Sequence, residues 1–170
     1  MKEKGIDELF YAVRHLKKEN ENFVLDLVGF FEDEYKEQVK ELEKHSIAHF
    51  YGFQSDPRPF YIEADCIVLP SYHEGMSNVI LEAAATGRPV ITSNIPGCRE
   101  SVENGKSGLL VEVKNKEMLY DAMKEMLHCS REEREQMGQA GREKMEREFR
   151  KEVVVEKTVQ SLREDEKRDF

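Results

Sequence analysis

The chain has 170 residues, 39% of them hydrophobic, which suits one folded domain and excludes a disordered polymer. Its 35 acidic and 26 basic residues give a net charge of −9, so it lacks the broad basic face that a nucleic-acid binder needs. No apolar run reaches the ~20 residues of a membrane span, and the opening MKEKGIDELF has no apolar signal core.

In chain order, residues 5–19 carry Ile6, Leu9, Phe10, Val13 and Leu16 at helical spacing. FVLDLVG (23–29) is a short apolar run that predicts a buried strand. Residues 32–45 place Tyr35, Val39 and Leu42 on one stripe of a second helix, with Glu32, Asp33 and Glu34 as its acidic first turn. IAHFYG (47–52) predicts a second strand, and residues 57–64 one or two helical turns. CIVLP (66–70) predicts a third strand, followed by a loop over 71–77. NVILEAAAT (78–86) predicts a helix stopped by Gly87. PVITS (89–93) predicts a fourth strand, Pro96-Gly97 a turn, residues 98–103 a short helix, and residues 108–113 a fifth strand. From residue 116 to the end the pattern is helical, in three pieces of roughly 116–128, 131–147 and 151–165. Alternating short apolar strands and helices predict an α/β fold, a Rossmann-like parallel sheet with helices on both faces and a C-terminal helical tail. The whole of 1–170 reads as a single domain.

Ligands of open parallel sheets bind beyond the carboxyl ends of the strands. The loop carrying Glu74 and Gly75 lies at such an end and runs into a helix starting near Ser77. Free N–H groups of Gly75, Met76, Ser77 and Asn78 at a helix start suit phosphate. Glu82 lies further along that helix and leans back toward its start, placed to accept a pair of sugar hydroxyls. Glu74 and Glu82 either bind a sugar nucleotide in this way or only stabilise the first turns of the helix.

Several other chemistries are excluded. Gly105-Lys106-Ser107 is no P-loop, because Glu100 stands where the first glycine belongs, and no G-x-G-x-x-G occurs. There is no Asp-x-Asp motif, and His15, His45, His49 and His128 lack metal-ligand spacing. His73, beside Glu74, is placed either to touch a ligand or to be solvated. Cys66, Cys98 and Cys129 show no C-x-x-C spacing, so neither a zinc site nor a disulfide framework is expected. A reducing cytoplasm is the expected location.

The stretch from Glu74 to Glu82, continued by Ala83-Ala84-Ala85-Thr86-Gly87-Arg88-Pro89-Val90-Ile91, resembles the E-x7-E donor motif of retaining glycosyltransferases. More narrowly it resembles the nucleotide-sugar-binding C-terminal half of family 4 enzymes, which have the two-domain GT-B fold. Weaker matches follow in the right order: Lys4-Gly5-Ile6-Asp7-Glu8-Leu9, Leu27-Val28-Gly29, Phe50-Tyr51-Gly52-Phe53, Asp65 to Ser71, and Glu100 to Val111.

The resemblance implies transfer of a sugar from a nucleotide diphosphate sugar to an acceptor, with retention; Lys4 and the helix-start N–H groups, without an Asp-x-Asp motif, predict that no metal or other cofactor is needed. It implies that Glu82 binds the ribose hydroxyls and that Glu74 is the catalytic carboxylate near the transferred sugar. It further implies that Gly75, Met76 and Ser77 hold the sugar and distal phosphate by their backbone. Lys4 would neutralise the diphosphate, and the backbone around Phe53 would contact the base. The family's G-R-L strand, with an arginine that shares the diphosphate, would fall before Met1, as would the acceptor-binding N-terminal half. A gap in the sheet is therefore expected, and no transfer by this chain alone. Any peripheral membrane contact would come through that other half. The competing expectation is a non-catalytic module that binds a sugar nucleotide or a partner.

Overall fold

The computed structural model describes residues 2–30 and 32–166. A 3₁₀ turn at Lys2–Lys4 leads into α1 (Ile6–Lys18), then β1 (Leu25–Val28), a 3₁₀ turn at Asp33–Tyr35 and α2 (Lys36–Lys44). Next come β2 (Ala48–Gly52), α3 (Arg58–Glu63), β3 (Ile67–Leu69), α4 (Asn78–Ala85) and β4 (Val90–Ser93). A 3₁₀ turn at Arg99–Ser101, β5 (Gly108–Val111), α5 (Lys116–His128), α6 (Arg131–Glu148) and α7 (Lys151–Glu166) complete the order. Among the described residues no helix is long and apolar enough to cross a membrane.

Each predicted element is present, with differences at the ends. The acidic run before α2 forms a separate 3₁₀ turn that buries Tyr35. The short helix expected at 98–103 is a 3₁₀ turn of three residues. The tail is three helices. Ser130 separates α5 from α6 with a capping box, its hydroxyl accepting from the Glu133 N–H and the Glu133 carboxylate accepting from its own. Residues 167–170 of the expected tail lie outside the described residues.

All described strand pairings are parallel, but they form two sheets. β1 pairs with β2, and β3, β4 and β5 pair in that order. The expected gap thus falls between β1 and β3. Strand alternation divides the apolar residues between two cores. Cys66 and Val68 face the core built on α1, α2 and α5, with Phe10, Leu16 and Leu42 fully buried. Ile67 and Leu69 face a smaller core with Tyr61 of α3 and Ile80 and Ala83 of α4. Helices therefore cover both faces, as the near-continuous apolar strands predict.

α6 lies behind α4. A Cβ at Gly138 would stand 1.9 Å from the Gly87 carbonyl oxygen, and one at Gly141 3.6 Å from the Ala84 Cβ. The backbone of the tail rests directly on the end of α4. α7 leaves Val154, Val155, Val159 and Leu162 exposed.

Candidate nucleotide-sugar site

β3 carries the chain to Pro70, and a loop then leads to α4, whose N-cap is Ser77 in an extended conformation. The buried Ser77 hydroxyl makes no capping hydrogen bond. Its backbone N–H donates to the Gly97 carbonyl at 3.1 Å, so the expectation of a free Ser77 N–H is corrected. The N–H groups of Gly75, Met76, Asn78 and Val79 have no hydrogen-bond partner among the described residues. They and the helix dipole leave an electropositive start to α4.

Gly97 is the residue that packs this loop. Its φ of +88° is left-handed, and a Cβ there would lie 1.6 Å from the Gly75 carbonyl oxygen. Its own N–H donates to Glu100 Oε2 at 2.8 Å. The turn was legible in Pro96-Gly97, but its seat under Glu74 and Gly75 was not.

Lys4 reaches the loop from 70 residues away. Gly5, at φ +69°, lets the chain pass so close to Pro70 that a Cβ would be 2.1 Å from the Pro70 carbonyl oxygen. The Tyr72 N–H donates to the Glu3 carbonyl at 2.7 Å, and the Tyr72 hydroxyl donates to Glu8 Oε2 at 2.6 Å. These ties set Lys4 Nζ 2.6 Å from Glu74 Oε1, with side-chain exposures of 34% and 13%. The pair holds the ammonium at the loop rather than free in solvent.

Glu82 is exposed on α4, and its carboxylate acts on the Tyr61 phenol. Burial first, and then the Glu82 charge, push the Tyr61 phenol well above its ordinary value. Arg58, held by Asp56 through Nε–Oδ1 and Nη2–Oδ2 contacts of 2.7 Å, adds a cation whose field reaches Glu82. Phe53 follows β2 and is 62% exposed. It stacks on Phe30, 72% exposed after β1, with ring centres 4.9 Å apart and planes 8° from parallel. Tyr61, Arg58 and Phe30 were not singled out from the sequence. Only exposed aromatics at strand ends could have flagged Phe30.

Lys4, Phe53, Glu74, Met76, Ser77 and Glu82 line one cleft of about 1010 Å³. Gly75 and His73 are exposed and are not among its lining residues. The cleft combines a cation, an electropositive helix start, two carboxylates and an aromatic surface. That set suits a ligand with a ring, phosphates and hydroxyls.

The model of the family described as glycosyl transferases group 1 matches residues 1–144. The chain belongs to this family. Among relatives of this group 1 chain, the capsular polysaccharide biosynthesis glycosyltransferase CapM of Staphylococcus aureus is 29% identical over 159 residues, 92% of this chain and 42% of CapM. An N-acetylgalactosaminyltransferase of Campylobacter jejuni, acting on N,N'-diacetylbacillosaminyl-diphospho-undecaprenol, is 35% identical over 66% of this chain and 29% of its own length. Sucrose-phosphate synthase from Thermosynechococcus elongatus superimposes with a TM-score of 0.81 at 27% identity, over 96% of this chain and 43% of that one. Anabaena HepE, solved with UDP-glucose, gives 0.80 at 20% identity, over 96% and 46%. These two solved structures share the α/β fold found here. The group 1 chain spans less than half the length of each of these four proteins.

Proposed function

We propose that residues 1–170 form the donor-binding domain of a retaining family 4 glycosyltransferase, the C-terminal half of a GT-B enzyme. The reading rests on the Lys4–Glu74 pair, set at the start of α4 in the cleft that also holds Glu82. The diphosphate lies against Lys4 and the N–H groups at the start of α4. Glu82 takes the ribose hydroxyls, Glu74 the transferred sugar, and the Phe30–Phe53 stack borders the base. In the reaction, the bond from the anomeric carbon to the diphosphate oxygen breaks and a bond to an acceptor oxygen forms. Negative charge grows on the departing nucleoside diphosphate, where Lys4 and the helix start stabilise it. The acceptor is held by the other half of the two-domain enzyme, and the reaction is cytoplasmic.

Titration calorimetry with UDP-, GDP- and ADP-sugars tests the site. One of them is expected to bind; absence of binding by all three would overturn the reading. Binding is expected to survive EDTA with unchanged affinity, because protein groups supply the positive charge. Restoration by Mg²⁺ of binding lost in EDTA would refute metal independence.

The chain alone is expected to transfer no sugar to any acceptor. Positioning of both substrates in a dry cleft supplies much of the rate, and this domain forms one wall of that cleft. A labelled-donor assay with and without an acceptor-binding half checks this. Transfer by the chain alone would show that the catalytic unit is smaller. Binding without transfer under either condition would favour a non-catalytic sugar-nucleotide module.

A further inference from the structure

A second pocket, of about 290 Å³, opens at the opposite edge of the β3–β4–β5 sheet from the Lys4–Glu74 pair. Asp65 and Pro89, which line it, precede β3 and β4, whereas Glu74 follows β3 at its carboxyl end. Its walls are the end of α3, the turn from α4 to β4 and the first turns of α6. The volume is close to the lower end of the ~300–1,000 Å³ of small-molecule sites. Arg88 and Arg131 line this pocket and not the cleft that holds Glu82.

Three guanidinium groups meet there, and the fold fixes the planes of two. Arg134 donates through Nη1 to the Cys129 carbonyl, and its Nη2 stands 3.4 Å from Asp65 Oδ1. Arg88 donates through Nη2 to the Ile62 carbonyl. The Nε–H groups of both arginines are buried and have no hydrogen-bond partner among the described residues. Arg131 donates through Nε to Glu135 Oε1 at 2.7 Å, which leaves its two terminal nitrogens free among the described residues. Buried donors without acceptors are costly, so the folded chain gains from an acceptor placed among them. The neighbouring carboxylates fill that need poorly. Glu63 is exposed, and the side chains of Asp65 and Glu135 are 80% and 58% exposed against 20% for Arg134. Water screens these acids more than it screens Arg134, so the inner part of the pocket keeps an excess of donors. Guanidinium forks match the oxygens of carboxylates and phosphates. Forks from the α4–β4 turn and from two positions on α6 approach along different directions. A tetrahedral anion offers acceptors to all of them, whereas a planar carboxylate offers them in one plane.

We propose that this pocket binds the phosphate group of a small solute, either free phosphate or a phosphate monoester. Its oxygens accept from Arg88, Arg131 and Arg134, and the occupant thereby ties the α4–β4 turn to α6. The site stands whether or not the other cleft binds a sugar nucleotide, and its test uses no nucleotide.

The full chain is titrated with sodium phosphate and, separately, with glycerol 3-phosphate, each against sodium chloride at equal ionic strength. Arginine Nε–Hε and backbone amide signals are read by NMR. The Nε–Hε signals of Arg88 and Arg134 and the Gly87 amide are expected to shift and saturate with phosphate or its ester, and not with chloride. Arg131→Gln, at a side chain 87% exposed, is expected to leave the rest of the spectrum in place and to weaken binding about three- to tenfold by removing charge-assisted hydrogen bonds. Glu63→Gln is expected to tighten binding about twofold in low salt, because it removes a like charge from the rim. Tighter binding of the ester would assign the site to phosphate monoesters, and tighter binding of phosphate to the free ion; either order supports the site. Absence of a saturable shift at Arg88 and Arg134, or the same shift with chloride, would overturn the proposal. So would equal affinity in Arg131→Gln. Shifts confined to the Gly75 and Met76 amides would place the anion at the start of α4 and overturn it equally.

Discussion

Gly97→Ala is expected to abolish detectable nucleotide-sugar binding and to lower the melting temperature. The added methyl would start 1.6 Å from the Gly75 carbonyl oxygen and 2.7 Å from that of Glu74. Both are backbone atoms of the loop that carries the proposed donor site, so relief requires the loop to move. A left-handed φ adds about 1–2 kcal/mol for any residue with a Cβ. The loop shift brings the expected loss to roughly 3–5 kcal/mol, within the range for strained backbone positions. For a domain of this size that is a fall of about 6–20 °C in Tm. The same shift would draw the Ser77 N–H away from the residue 97 carbonyl that accepts from it. Calorimetric melting together with donor titration checks both effects. A variant that melts and binds like the parent would show that the loop can yield at little cost.

Glu82→Ala separates binding from folding. Glu82 is exposed at the cleft, and its carboxylate acts on the Tyr61 phenol and on Arg58. If it takes the ribose hydroxyls, the variant loses charge-assisted hydrogen bonds worth ~1.5–3 kcal/mol, roughly ten- to a hundredfold in affinity. The exposed carboxylate carries no core packing, and the Tyr61 ring beside it would stay packed against Ile80 and Ala83. Stability is therefore expected to change by less than about 1.5 kcal/mol. Calorimetry with the best-binding donor decides the matter. Unchanged affinity would remove Glu82 from the site.

Local pattern made most of the fold legible. The stripe Leu9, Phe10, Val13 and Leu16 is the buried face of α1, and NVILEAAAT followed by Gly87 delivered α4 with its end in place. The E-x7-E spacing runs from the loop after β3 into α4, and both of its glutamates line the cleft. What escaped was whatever depends on distant backbone meeting backbone. The Lys4–Glu74 contact exists because Gly5 can pass Pro70, and no periodicity encodes that meeting. The Ser77 N–H looked free because a helix start normally leaves it so; only the return of the chain at Gly97 supplies its acceptor. The Phe30–Phe53 stack joins the ends of two different strands, and it appears only once β1 and β2 are known to be adjacent.

The contact between Gly138 and Gly87 carries a mechanical consequence. α4 bears Glu82, yet the helix is braced from its rear, where α6 meets its carboxyl end with no side chain between them. Such a joint transmits displacement almost without loss, because there is no rotamer to absorb it. With no side chain between them, a shift of α6 along its axis would press directly on the carboxyl end of α4. Engineering of the binding cleft can therefore begin on the far side of the molecule, at residues that never meet a ligand.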